Sequence, residues 1–190
     1  NNLAKISTIS LTDIVFDYGA SGSTTALIAN AAGITDVKVL DKLKNPVNAT
    51  VSVNGLKITV SGLDAGAYTL SATTVPATDY EASTATASIT VNRVDSTLNA
   101  DNIAFVYGQS GSTTVSYTGA DDVSAVIAGH ADSLTKEGNV ITVSNLDAGV
   151  YVLTVATIAD ANHNSISRDL TVNVSKAQST LSVDNITFII

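Results

Sequence analysis

Two carboxylates stand at matching places in the chain, and they are the first residues to consider for chemistry. Asp64 and Asp147 each precede an Ala-Gly pair and a tyrosine. A carboxylate serves as a general acid or base, but hydrolysis also needs a nucleophile and an orienting group within reach. The chain has no cysteine, and its two histidines, His130 and His163, do not recur at matching positions. We therefore predict no enzyme activity and interpret both aspartates as turn residues that hydrogen-bond to their own backbone.

Other acidic residues raise the question of a metal site. Calcium takes about six to eight oxygen ligands. Acidic side chains neighbour one another at Asp121 and Asp122, and Asp95 and Asp101 lie near a repeat junction. The sequence has no Asp-x-Asp-x-Asp-Gly loop. We predict solvated carboxylates with no bound metal and no cofactor, and a calcium ion at the junction stays open as the alternative.

Two further groups of residues concern modification and docking. The Asn-x-Ser/Thr sequons of N-glycosylation begin at Asn48, Asn173 and Asn185, and they give weak support for export. Four of the nine positive charges gather in the longer half of the first repeat: Lys38, Lys42, Lys44 and Lys57. Exposed charge is normal, so we interpret these lysines as a solvated face, with a docking surface as the alternative.

Composition excludes several classes of partner. The formal net charge is −8, and only 14% of the residues are charged. Nucleic acids and anionic membranes both attract strongly basic surfaces, whereas this chain has 9 Lys and Arg against 17 Asp and Glu. No apolar run approaches the roughly 18 residues of a membrane-spanning helix. The sequence therefore predicts no nucleic-acid partner and no direct membrane insertion.

A long internal repeat organises the chain. The tripeptide Ser7-Thr8-Ile9 recurs as Ser96-Thr97-Leu98, 89 residues on (96 − 7), and as Ser179-Thr180-Leu181, 83 further on (179 − 96). The stretch from Phe16 to Gly19 likewise recurs from Phe105 to Gly108. Units of this length can bury their own cores, unlike short solenoid repeats. We predict domains over 1–94 and 95–177, with 178–190 as the first strand of a third repeat or a donor strand for a neighbour.

Alternating polarity within each unit is typical of half-buried strands. The dipeptide Asn54-Gly55 favours a two-residue hairpin loop, because both residue types tolerate positive φ. Five apolar residues flank it: Val51, Val53, Leu56, Ile58 and Val60. This pattern predicts Val53 opposite Leu56 and all five side chains on one face. The second unit has Glu137-Gly138 at the same place, which is a weaker hairpin signal.

The stretches around the two aspartates narrow the fold. Gly66 and Tyr68 follow Asp64, and Gly149 and Tyr151 follow Asp147 at the same spacing. This is the pattern of a tyrosine corner, in which a tyrosine at the start of the sixth strand donates its hydroxyl to an upstream backbone group. Many short strands separated by frequent turns point the same way. We predict an all-β fold of tandem immunoglobulin-like Greek-key β-sandwiches.

Each unit resembles the bacterial immunoglobulin-like (Big) repeats, in particular those similar to group 3. The resemblance rests on the Ser-Thr-Leu openings, Tyr-Gly after the first strand, Leu-Asp-Ala-Gly-x-Tyr before the sixth, and the stretch from Ala159 to Ser165. It covers nearly the whole chain, although the first unit has Asp79 where the second has an asparagine. Such repeats occur in adhesin-like surface proteins of bacteria and methanogenic archaea, as stalks, spacers and sometimes adhesive surfaces.

The resemblance also brings in a covalent cross-link that some surface immunoglobulin-like domains form between lysine and asparagine or aspartate. Lys5 and Lys176 stand at equivalent domain edges, but the middle junction has Arg93 at that place. Arginine cannot form this bond, so we predict no cross-link that both units share.

The resemblance implies a non-enzymatic stalk or spacer in an extracellular, cell-surface adhesin-like protein. Its expected partners are neighbouring repeats, or a host or microbial surface protein or glycan. The alternative is a filament subunit whose terminal strand completes the sheet of a neighbouring subunit. The residues that would enter the neighbour are Leu181, Val183, Ile186, Phe188 and Ile190.

Overall fold

The computed structural model describes residues 3–190, and β-strands form nearly all of their regular structure. Within that range the only helical segment is a 3₁₀ turn, Ala131–Ser133. No helix among the described residues has the length and apolar character needed to cross a membrane. The predicted all-β class is confirmed, as the abundance of β-branched Thr and Val favours.

The chain divides into two compact units. Unit 1 comprises Asn1–Asp95 with Asp160–Asn164, and unit 2 comprises Ser96–Ala159 with Ser165–Ile190. The domain limits predicted above, at 94/95 and 177/178, stay predictions.

Unit 1 is built from two facing sheets with short accessory pairs. One sheet has the strand order β3-β11-β9-β6, the other has β4-β8-β7, and the pairs are β2-β5, β1-β10 and β12-β21. The strands are β1 (Lys5–Ile6), β2 (Thr8–Ser10), β3 (Ile14–Asp17), β4 (Ser21–Thr25), β5 (Leu27–Ala29), β6 (Ala31–Leu40), β7 (Thr50–Asn54), β8 (Lys57–Ser61), β9 (Gly66–Pro76), β10 (Tyr80–Glu81), β11 (Thr84–Asn92), β12 (Val94–Asp95) and β21 (His163–Asn164).

Unit 2 has the same two-sheet plan. Its sheets have the orders β14-β22-β20-β17 and β15-β19-β18, with the pair β13-β16 beside them. The strands are β13 (Thr97–Asn99), β14 (Ile103–Val106), β15 (Ser110–Thr114), β16 (Ser116–Thr118), β17 (Ala120–Val126), β18 (Leu134–Glu137), β19 (Val140–Ser144), β20 (Gly149–Ala159) and β22 (Ser167–Ser175). In both units the early strand pairs in parallel with the last one, β3 with β11 and β14 with β22.

The core of each unit lies between its sheets. Strand β11 alternates buried and exposed residues, and it sends Ala87, Ile89 and Val91 inward. From the opposite sheet, Ile58 and Val60 of β8 face them and are fully buried. Full burial of an aliphatic side chain contributes about 1.5–3 kcal/mol. The packing of two sheets around one core confirms the predicted sandwich class.

Glycines let the two sheets approach closely beside the first core strand. A Cβ at Gly22 would stand 2.4 Å from Ile14 Cγ2 and 2.6 Å from Phe16 Cδ1. The same arrangement recurs at Gly111, where a Cβ would stand 2.5 Å from Ile103 Cγ2. The recurring Ser-Gly-Ser-Thr-Thr motif therefore supplies a flat surface for the recurring Ile-x-Phe pair.

The first serine of each repeat makes a buried hydroxyl pair. Ser7 Oγ lies 2.6 Å from Thr74 Oγ1, and Ser96 Oγ lies 2.6 Å from Thr157 Oγ1. Thr74 Oγ1 also accepts a hydrogen bond of 2.9 Å from Ser83 N. Buried polar groups need such partners because unpaired ones are costly. The serine of the repeated tripeptide thus links the start of unit 1 to β9 and the start of unit 2 to β20.

The predicted register of the first hairpin is wrong by two residues. Val53 pairs with Ile58 and Asn54 with Lys57, so the loop is Gly55-Leu56 rather than Asn54-Gly55. Only Gly55 of these loop residues has positive φ, at 62°. That geometry suits a turn with glycine first, and it leaves Asn54 free to extend the strand. The weaker signal in unit 2 forms the same hairpin, with Gly138 at φ 60°.

The last segment of the chain forms no strand with the other described residues, and its role as the first strand of a third repeat or as a donor strand stays a prediction. Residues 176–190 contain no strand and are exposed throughout. A strand needs a neighbour to satisfy its backbone N–H and C=O groups, and this segment pairs with none of the described strands.

Candidate functional site

The tyrosine corners lie where β9 and β20 begin. Tyr68 donates a 2.9 Å hydrogen bond from its hydroxyl to the Asp64 carbonyl, and Tyr151 donates one of 3.0 Å to the Asp147 carbonyl. Burial raises the pKa of Tyr68, and the nearby Asp64 charge adds to the effect. A neutral phenol is therefore favoured, as a donor requires.

Glycine beside each corner leaves room for the ring. A Cβ at Gly66 would stand 3.8 Å from the Tyr68 hydroxyl, and one at Gly149 would stand 3.6 Å from the Tyr151 hydroxyl. These are ordinary contacts, so space alone does not require glycine there. Gly66 has φ of 154°, a conformation that other residues rarely adopt, so at this position the backbone does require it.

The Asp64 carboxylate was predicted to hydrogen-bond to the backbone of its own turn, but it binds the side chain of Asn162 instead. Its Oδ1 accepts a 3.0 Å hydrogen bond from Asn162 Nδ2, while Asn162 Oδ1 accepts one of 2.8 Å from Ala65 N. All three residues belong to unit 1. The asparagine side chain therefore bridges the turn backbone and the carboxylate, a structural use of the group.

Each histidine contacts a neighbouring side chain, which gives it a structural role. His163 Nδ1 lies 2.7 Å from Asp160 Oδ1, and this hydrogen bond holds the pKa of Asp160 below its usual value. His130 packs its ring edge-on against Tyr151, with centroids 5.2 Å apart. In the part of the chain that the structure describes, no three His, Cys, Asp or Glu residues gather as metal ligands.

The predicted modification and docking residues are at the surface. Asn48, Asn173 and Asn185 are all exposed. The predicted lysine group spreads over two sheets, because Lys38 lies on β6 and Lys57 on β8. Lys38 pairs with Asp36 at 3.2 Å, and Lys44 Nζ lies 3.4 Å from Thr69 Oγ1.

An apolar cleft opens in unit 2 between the edge strands β17 and β18, and sequence reasoning did not find it. Its volume is about 280 Å³, and one end is bounded by Lys136, which binds Asp122 at 2.8 Å and lowers the pKa of that carboxyl. Its apolar lining consists of Ala125, Val126, Ile127, Ala131, Leu134 and Ile141. No spacing in the sequence marks this cleft, since its lining comes from four separate segments.

The matching edge of unit 1 is covered by its own chain. After β6, Asp41 folds the connection by accepting hydrogen bonds from Leu43 N and Asn45 N, at 2.8 and 2.9 Å. The connection then returns to the edge of β6, where Val47 N donates to Val39 O at 2.9 Å. Val47 and Ala49 pack against the core of unit 1. The longer connection therefore fills the space that stays open in unit 2.

Comparison with known proteins assigns no family to this chain. No protein-family model matches this chain. No curated protein matches it either. Among solved structures, the titin domains Z1Z2 in complex with telethonin are 14% identical, cover 93% of this chain and 100% of their own, and give a TM-score of 0.46.

Two other solved structures match the chain at similarly low identity. The fibronectin(III)-like modules of Clostridium thermocellum CbhA are 14% identical, cover 94% of this chain and 100% of their own, and give a TM-score of 0.37. Drosophila N-cadherin EC1-3 is 13% identical, covers 92% of this chain and 69% of its own, and gives a TM-score of 0.39. The bacterial repeat group named above stays a prediction.

Proposed function

We propose that this chain is a non-enzymatic stalk or spacer segment of an extracellular, cell-surface adhesin-like protein. The proposal is supported by the kind of residue that both units share. Both units retain an Ile-x-Phe pair that packs against a glycine, Gly22 or Gly111. Both also retain the buried serine and a corner tyrosine, Tyr68 or Tyr151. These residues build and stabilise a sandwich, and the histidines and most acidic groups do not recur.

The experiment for the spacer role is a length series. Chains that carry one, two and three head-to-tail copies of residues 1–177 are measured by small-angle X-ray scattering. A spacer predicts a maximum dimension that grows in proportion to copy number at a constant cross-section. Growth with roughly the square root of copy number, as a flexible coil shows, would contradict it.

The surface location has its own test. An antibody raised against the folded chain should label intact source cells, and protease added outside the cells should remove the signal. Labelling only after the cells are made permeable would contradict the proposal. Neighbouring repeats are the first expected partners, and a surface protein or glycan the second.

A second candidate function is a filament subunit, in which the apolar segment from Leu181 to Ile190 would complete the sheet of a neighbouring subunit. Five apolar side chains of this segment are at least four-fifths exposed: Leu181, Val183, Ile186, Phe188 and Ile190. Apolar residues in such density usually have a partner surface. Light scattering on the chain with and without residues 179–190 tests this role. Concentration-dependent polymers that disappear on deletion support it, and monomers in both cases contradict it.

A further inference from the structure

We propose that Asn173 carries an N-linked glycan whose first sugars cover the outward face of the sheet β14-β22-β20-β17. The inference rests on the extracellular location proposed above, because N-linked sugars are added to exported chains. It goes beyond that location, since it gives one of the three sequons a structural role.

The first observation is the position of the sequon within the sheet. Asn173 and Ser175 both lie on β22, and both are exposed. Side chains two residues apart in a strand point to the same face, so the acceptor amide and the hydroxyl of its sequon both face outward. Val172 and Val174 point the other way and are only 0% and 3% exposed. A glycan on Asn173 therefore leaves the core undisturbed.

The second observation is the apolar surroundings of the acceptor. Asn173 pairs with Ala104 of β14 on one side and with Val150 of β20 on the other. Its diagonal neighbours on these strands, about 7–8 Å away, are Val106 and Val152. The three valines are exposed, Val150 by 72%, Val152 by 57% and Val106 by 43%. The acceptor thus stands at the centre of an exposed apolar patch, the kind of surface that usually has a partner.

The third observation is the contrast with the same face of unit 1. There Thr90 of β11 takes the place of Asn173. Its diagonal neighbours are Asp17 and Thr69, where unit 2 has valines. Asp17 Oδ1 accepts a 3.0 Å hydrogen bond from Asn92 Nδ2. The acceptor asparagine and its apolar diagonal neighbours therefore occur together in unit 2, and polar residues replace all three in unit 1.

Attachment is the transfer of an oligosaccharide from a lipid-phosphate carrier. The Asn173 amide nitrogen bonds to C1 of the first sugar, while the bond between C1 and the phosphate oxygen of the carrier breaks. The amide loses one proton, and the lipid phosphate leaves with the electron pair of the broken bond. Because β22 is hydrogen-bonded on both sides in the folded sheet, we expect the transfer before folding. After folding, C–H groups of the sugar rings contact the valine methyl groups by dispersion.

Covalent attachment favours a glycan over other occupants of this face. A second chain must reach the face from solution, whereas a sugar on Asn173 is tethered beside it at a high effective concentration. The glycan is also bulky and polar on its outer side, so it keeps another protein from packing flat against the valines.

The test uses the full chain secreted from a eukaryotic host that attaches high-mannose N-glycans. Asn48→Gln and Asn185→Gln are included throughout, so that Asn173 is the one remaining sequon. Peptide mass spectrometry should find most Asn173 peptides modified. In NMR spectra, protons of the first two sugars should show NOEs to the methyl groups of Val150 and Val152. An Asn173 peptide of unmodified mass would overturn the inference.

A stability comparison adds a matched control. Unit 2 of the glycosylated chain should melt at least about 2 °C higher than in the same chain made without glycan in a bacterial cytoplasm. Val150→Ala with Val152→Thr, which introduces the residues of unit 1, should abolish this shift. Moving the sequon to unit 1, by Thr90→Asn with Asn92→Ser and Asn173→Gln, should give a glycan that does not raise the melting temperature of unit 1.

The outcomes separate this inference from the proposed function. A modified Asn173 without NOEs, or a shift that survives the Val150→Ala and Val152→Thr pair, refutes the covering of the face. Glycosylated chains that associate through these valines would assign the face to a second copy and also refute it. Source cells that display the protein with Asn173 unmodified would refute the glycan and leave the stalk function intact. Absence from the cell surface refutes both.

Discussion

Replacing Gly111 with alanine tests whether close approach of the two sheets explains the recurring Ser-Gly-Ser motif. The new Cβ would stand 2.5 Å from Ile103 Cγ2 and 2.8 Å from Phe105 Cδ1. Carbon atoms pack best at about 3.5–4.0 Å, so the strands must separate by about 1 Å or the side chains must leave their rotamers. Such overpacking costs about 1–3 kcal/mol.

An opposing term must be subtracted from this cost. Alanine restricts the unfolded chain more than glycine does, which stabilises a compatible site by about 0.4–1 kcal/mol. The expected net loss for Gly111→Ala is therefore about 0–2.6 kcal/mol, with a midpoint of about 1.3 kcal/mol. In a domain of this size that corresponds to a fall of about 5–10 °C in the melting temperature of unit 2.

The assay is differential scanning calorimetry of the full chain, with hydrogen exchange to assign each transition to a unit. Gly33→Ala is the control, because nothing lies within 4 Å of its added Cβ. We expect it to leave stability unchanged or slightly raised. Gly22→Ala should lower only the unit 1 transition. Equal stability of Gly111→Ala and Gly33→Ala would refute the close-approach argument.

A double-mutant cycle makes the test specific. Ile103→Ala removes the Cγ2 atom that the new Cβ would meet, at its own cost in core packing. The double variant should lose less stability than the sum of the two single losses, by about 0.5 kcal/mol or more. Strict additivity would show that the destabilisation has another source.

Three other predictions concern hydrogen bonds. Tyr68→Phe removes the bond to Asp64 and should destabilise unit 1 by about 0.5–1.5 kcal/mol in urea unfolding, while Ala67→Gly at a neighbouring exposed site tests for general strand effects. Because the pKa of Tyr68 is raised, this stabilisation should be present below about pH 10 and disappear as the phenol ionises above it, which absorbance titration of the parent and variant can follow. Thr74→Val should cost about 1–3 kcal/mol because it leaves Ser83 N without its acceptor, and a loss no larger than that of the exposed Thr86→Val would contradict this. Because the pKa of Asp160 is lowered by His163, its contribution should be present above pH 3.8 and be lost as the pH falls further, so Asp160→Asn should flatten the acid limb of the stability profile.

The class of fold was predictable because local signals agreed with one another. The Gly66–Tyr68 stretch and its copy at Gly149–Tyr151 mark the start of a long central strand in both units. In β11 and β22 the buried positions follow the alternation of apolar and polar residues in the sequence. These signals are local, and each depends on only a few neighbouring residues.

Register and surface shape were less predictable, because they depend on distant residues. Asn54-Gly55 is a strong turn signal, yet pairing of Val51 with Val60 and Val53 with Ile58 moves the loop one residue on. The β17–β18 cleft is open because the connection after β17 does not cover it, whereas the longer connection after β6 covers the matching edge of unit 1. No residue type in Ala125–Ile127 distinguishes an uncovered edge from a covered one, and only comparison with Val47 of unit 1 reveals it.

Parallel pairing of β3 with β11 has a mechanical consequence. Ile14–Asp17 lie in register with Ile89–Asn92, and the two strands belong to the beginning and the end of the same repeat. Tension applied to the entering and leaving chain pulls these strands in opposite directions along their shared axis. The ladder bonds are then loaded together in shear, whereas a hairpin opened from its ends breaks its bonds one after another. The same holds for β14 and β22, so a pulled chain would meet this resistance once in every repeat.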